Sequence, residues 1–132
     1  MSLYKVETRA GSVSITKNVI GKIVIESVKK FKGKVMISNH RGKATDMAPK
    51  KEGAGAINTM DINMGAKGLD LRIYVVINFG TSIGAVTDRL IEDIHTRTKE
   101  LTGIEPNSIA IIVTGLISKD QMTRRNIEVK RQ

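Results

Sequence analysis

The residues able to do chemistry are few. The 132-residue chain has no cysteine and only two histidines, so nucleophilic catalysis lacks a thiol and has little choice of base. There is no G-x-S-x-G elbow to expose a serine nucleophile. No spacing among the aspartates and glutamates singles out a carboxylate pair for acid–base work. Glu92 to His95 gives one Glu-x-x-His step on a helix, but a di-iron site needs two such steps and further carboxylates from other helices. With Asp88 and Arg89 beside it, this stretch reads as a solvated helix face. His40 has no partner that spacing assigns. The expectation is therefore a non-enzymatic chain with no catalytic residue, no cofactor and no metal ligand.

Two glycine patterns raise the question of phosphate binding. In "INFGTSIGA", residues 77–85, Gly80 and Gly84 give G-x-x-x-G with no following lysine, which fits neither a dinucleotide fingerprint nor a P-loop. Gly80 is better explained as a positive-φ turn between a strand and a helix. "GAKG", residues 65–68, has the G-x-x-G spacing by which some domains clamp a nucleic-acid backbone, but that loop joins two helices and this one leads straight into a strand. Four aromatic residues (Tyr4, Phe31, Tyr74, Phe79) also offer few surfaces for stacking unpaired bases.

Charge is the stronger clue to partners. The net charge is +9 and the pI near 10.0, which draws a protein toward phosphates, anionic lipid or acidic proteins. Residues 1–55 hold most of the excess, with 12 Lys/Arg against 4 Asp/Glu. The densest run supplies Lys29, Lys30, Lys32 and Lys34, and Arg124 with Arg125 forms a smaller cluster. These six, with Arg72 and Tyr74 on the outer face of a strand, are the candidate surface for a partner or polyanion. Cations near a helix C-terminus also complement its dipole, so a solvated helix end accounts for much of the lysine run. A nucleic-acid-binding module is the alternative reading, and its binding would weaken steeply with salt. Peripheral attachment to an anionic membrane ranks lower, because neither helix carries the basic-plus-aromatic face of an interfacial anchor.

The elements that must position these residues follow from periodicity. "GSVSIT" alternates as a half-buried strand through Val13 and Ile15. Thr16 is a candidate cap for a helix with Val19, Ile20, Ile23, Val24, Val28 and Phe31 on one face, ended by Gly33. "KVMIS" reads as a short strand. Residues 39–68 have loop composition, with a short helical turn within "AGAINTMDINM", and so long a connection is expected to be mobile or functional. "LDLRIYVVINF" is the strongest strand, with Leu69, Leu71, Ile73, Val75, Ile77 and Phe79 on one face. Thr81 or Ser82 caps a second helix bearing Ile83, Val86, Leu90, Ile94 and Leu101, and Gly103 ends it. "SIAIIVTG" is the last full strand, and residues 119–132 read as a polar basic tail in which Ile127 and Val129 add at most a marginal strand. The order β-α-β-β-α-β, with both helices packed on one face of a small mixed sheet, is a two-layer α+β domain spanning residues 1–118. No apolar run approaches the roughly 18 residues that span a bilayer, and the N-terminus lacks a signal-peptide pattern. The absence of cysteine suits a reducing compartment, so a cytoplasmic protein is expected.

Three stretches carry a resemblance: "GSVSITKNVIGKIV", "GLDLRIYVVINFGTSIGAVTDRLIEDI" and "LTGIEPNSIAIIVTGL". In that order and spacing they resemble the alkaline shock protein family of envelope-stress-response proteins, over about residues 4–118. The resemblance implies a non-enzymatic cytoplasmic protein that works through protein partners. These would be a membrane-anchored protein, which would hold it beneath the membrane, or an enzyme of fatty-acid metabolism. A homo-oligomer is also expected, because exposed sheet edges invite self-pairing. The family contributes no catalytic motif to carry over. The lysine-rich middle segment and strongly positive charge depart from its expected pattern.

Overall fold

The alternation of Leu69, Leu71, Ile73, Val75 and Ile77 builds the strand around which the chain is arranged. In a computed structural model, which describes residues 2–45, 54–78, 80–117 and 122–131, ten elements follow one another. They are β1 (Ser2–Thr8), β2 (Gly11–Thr16), α1 (Lys17–Lys29), β3 (Val35–Ile37), α2 (Ala54–Ile57), β4 (Asp61–Gly65), β5 (Gly68–Asn78), α3 (Ile83–Thr102), β6 (Pro106–Ile117) and β7 (Met122–Arg131). β5 is central. β6 lies parallel on one edge, while β3 and β4 share the other edge, both antiparallel. β4 takes the first half of β5 and β3 the second, so two short strands cover one long one. β7 pairs antiparallel with β6 and completes a five-stranded mixed sheet.

The two long helices lie on one face of this sheet. The inward row of β5 and Ile109, Ile111 and Val113 of β6 are buried together with Ile20, Val24 and Val28 of α1 and with Val86, Leu90 and Ile94 of α3. A parallel β5–β6 pair requires a crossover connection, and α3 supplies it while burying its apolar stripe. The chain is thus a two-layer α+β domain, as its periodicity predicts. Gly80, at φ 92°, makes the expected turn after β5. Ser82 caps α3, its Oγ accepting from the Ala85 N–H at 3.3 Å, and Gly103 ends that helix in the left-handed region at φ 77°.

Other expectations are corrected. The order is longer than β-α-β-β-α-β, because the stretch read as a loop from 39 to 68 contains β4 and the short α2. β4 and β5 form a hairpin closed between Gly65 and Gly68, so "GAKG" joins two strands. Its glycines, one at φ 126°, interrupt the apolar pattern and hid the hairpin. The polar tail contains the ten-residue β7. Ile127 and Val129, read as a marginal strand, do lie in it, but its full length is decided by pairing with the edge of β6, which the polar residues of "MTRRNIEVKR" do not announce. "GSVSIT" is a strand, but it belongs to a separate two-stranded sheet with β1, and Val13 is 54% exposed while Ile15 is buried. Thr16 makes no side-chain cap on α1, and the helix stops at Lys29, before Phe31 and Gly33. Val19 and Leu101 point outward, because a 3.6-residue period leaves residues at the margin of an apolar stripe to be decided by what packs against it. Phe79 lies outside the described residues.

Candidate functional site

The proposed surface residues divide between the two sides of the sheet. Lys29 and Lys30 come from the end of α1, and Lys32 and Lys34 from the turn that follows it. That turn is tied by Phe31 N–H to Val28 O, Lys32 N–H to Lys29 O and Lys34 N–H to Phe31 O, each at 3.1 Å. Lys32 is held at φ 52°, a left-handed conformation unusual for a residue with a long side chain. Lys30, Lys32 and Lys34 line a cleft of about 490 Å³ between this turn and the middle of α3. Lys29 pairs instead with Glu26 at 3.9 Å.

On the α3 side the cleft gains Arg89 and Asp93, which sequence reading passed over as parts of a solvated face. The Arg89 guanidinium sits 5.9 Å from the centroid of the Phe31 ring, a cation–π distance. Lys30 Nζ donates to Asp93 Oδ1 at 2.8 Å, and Arg97 Nε lies 3.3 Å from Asp93 Oδ2. Burial pushes the Asp93 carboxyl up, but Lys30, the nearby Ser27 hydroxyl and the charges of Lys30 and Arg97 outweigh this and hold it below its ordinary value. Arg89, Asp93 and Arg97 recur every four residues on α3. That spacing is the signal that could have found this stripe.

Arg72 and Tyr74 lie on the opposite side of the sheet. They alternate with the buried Leu71, Ile73 and Val75, so they face away from the helices. Arg72 Nε donates to Tyr74 Oη at 3.3 Å, and Tyr74 Oη donates to Asp61 Oδ2 at 3.4 Å. Asp61 is brought there by register, since β4 sets it directly across from Arg72. The His40 ring meets Tyr74 edge-on, with centroids 6.5 Å apart. Close by, Asp70 Oδ1 accepts from Asn107 Nδ2 at 2.9 Å and Ser108 Oγ at 2.7 Å. The Asn107 bond, then the Ser108 bond, lowers the Asp70 pKa below its ordinary 3.8 against a small opposing effect of burial. Asp61, Asn63, Asp70, Arg72 and Ser108 line a shallow concavity of about 280 Å³. Toward the other end of β5 the same face closes, and Val76 is fully buried.

Arg124 of β7 lies opposite Gly115, and the side chains of Arg124 and Arg125 lie outside those described. The helix face containing Glu92 and His95 carries a loose contact from His95 Nε2 to Glu105 at 3.8 Å. Among the described residues no group of three or more His, Cys, Asp or Glu could hold a metal ion. None of their helices is long and apolar enough to cross a membrane.

The sequence pattern of the alkaline shock protein 23 family, described as having a cell envelope-related function, matches residues 5–118. The chain belongs to this family. No curated protein and no solved structure matches it. In this alkaline shock protein family member, the matched span contains both the lysine cleft and the Arg72–Tyr74 face. It stops before β7, the strand that completes the sheet beside β6.

Proposed function

We propose that the chain is a non-enzymatic interaction module of the cytoplasm that serves the cell envelope by docking a protein through the Arg72–Tyr74 end of the sheet face turned away from its helices. The observation that carries this reading is the polar network of Arg72, Tyr74 and Asp61 on the side of the sheet away from the helices. Side chains fixed by one another lose little further freedom on binding, and tyrosine and arginine are the residue types that dominate protein interfaces. Family membership supplies the setting, a cell envelope-related function. The partner is a membrane-anchored protein or an enzyme of fatty-acid metabolism, and self-association of the chain accompanies docking.

In-cell crosslinking followed by affinity purification tests the proposal, comparing the natural chain with an Arg72→Glu/Tyr74→Ala variant shown by circular dichroism to be folded. A partner of either class recovered with the natural chain, and lost with the variant, supports it. Equal recovery with both would sink the docking face. The excess of 12 basic over 4 acidic residues within residues 1–55 favours a second reading, nucleic-acid binding. Recovery of mostly RNA, released at moderate salt, would install that reading in its place.

A further inference from the structure

We propose that the cleft between the α1–β3 turn and α3 binds a phosphate monoester group, held by Lys32, Lys34 and Arg89. This does not rest on the docking reading, because the cleft lies on the helix side of the sheet and Arg72 and Tyr74 on the other.

Charge selects the ligand class. Four cations line the cleft (Lys30, Lys32, Lys34 and Arg89) against two carboxylates, Glu92 and Asp93. Asp93 is already engaged by Lys30 at 2.8 Å and by Arg97 at 3.3 Å. Lys32 and Lys34 form no ion pair among the described residues. The excess of two positive charges matches a phosphate monoester, which carries roughly −1.5 to −2 near neutral pH. A peptide carboxylate would neutralise only half of it.

Geometry points the same way. Arg89 is steadied over the Phe31 ring and offers several N–H donors in a fixed plane, while each lysine adds an ammonium. The lysines are two residues apart on a turn whose left-handed Lys32 is fixed by the backbone bonds on either side of it. Such a conformation is the kind of local strain that collects at ligand sites. The buried Ser27 also lines the cleft, beside Asp93.

The group could belong to a soluble phosphorylated molecule or to a lipid headgroup, and the experiment separates them. Backbone amide NMR spectra of the full chain are titrated with inorganic phosphate, with chloride at matched ionic strength, and with phosphatidylcholine vesicles with or without phosphatidic acid. The variant Lys34→Gln/Arg89→Gln is compared with Lys43→Gln/Lys67→Gln, which removes the same charge from residues that do not line the cleft. The expected result is a saturable shift of the Lys32, Lys34 and Arg89 amides with phosphate but not chloride. Affinity should fall about tenfold or more in the cleft variant, as two charge-assisted donors are lost, and should be kept in the control. Response to inorganic phosphate alone identifies a soluble ligand; a stronger response to phosphatidic acid identifies a headgroup. Shifts that follow ionic strength, spread over all basic residues, or fall equally in both variants would overturn the proposal.

Discussion

Asp93 shows how one side chain organises its surroundings. It receives Lys30 from another helix and Arg97 from its own, and the benefit of these partners exceeds the burial that would protonate it. Because its folded pKa is depressed, the stability it contributes is present above its unfolded value. That contribution is lost as pH falls through the folded value. Lys30→Gln should move the Asp93 titration upward, so that the loss begins at higher pH; a carboxyl-carbon NMR titration reads this directly. Lys30 is half exposed, so the cost at neutral pH should stay within about 1 kcal/mol. An unmoved titration would mean that Arg97 and Ser27 alone hold the carboxylate.

At the scale of elements, close approach and irregular register do most of the positioning. α1 presents Gly21 to α2, where an added Cβ would come within 2.5 Å of Ile57 Cγ1 and 2.9 Å of its Cγ2. Gly21→Ala should gain up to about 1 kcal/mol of helix propensity. Overpacking against a buried side chain typically costs about 1–3 kcal/mol, so the net effect should be destabilising. Denaturant unfolding should show this loss, and Ile57→Ala should remove the clash so that the two changes are not additive. β6 has two register shifts against β5, which set Asn107 and Thr114 as extra residues. Each turns a polar group to use. Asn107 reaches Asp70, while Thr114 donates to Val75 O at 3.1 Å and meets Ser38 Oγ at 2.7 Å. Bulges thus bring together residues that strict alternation along the strand would keep apart.

For the whole molecule, the sheet separates two surfaces of different chemistry and is completed by its last strand. Ile111 of β6 lies opposite Val129 and Val113 opposite Ile127, and Val129 packs against the core. A chain truncated after residue 121 should lose at least the roughly 1 kcal/mol of a half-buried valine. It should also expose the β6 edge to association. A lower unfolding temperature with concentration-dependent aggregation is the expected outcome. Unchanged stability and a monomeric truncation product would show that β7 is dispensable.

By itself the sequence determined the two helices, the central strand, β6 and the turns at Gly80 and Gly103. Each is written in local periodicity or in a backbone conformation that glycine adopts most easily. The lysine run and the pair Arg72 and Tyr74 were also legible there, as charge and as the outer face of a strand. Only the tertiary structure decided that Phe31, in the turn after α1, meets Arg89 of α3, that Asp61 faces Arg72, and that β7 joins β6. The physical reason is that these contacts depend on strand register and helix packing over long sequence separations. A one-residue slip in register exchanges the faces of a strand, and residue types along a short polar segment do not fix that choice. The same limit explains why the eight surface residues looked like one candidate set until the sheet placed Lys30, Lys32 and Lys34 on one side and Arg72 and Tyr74 on the other.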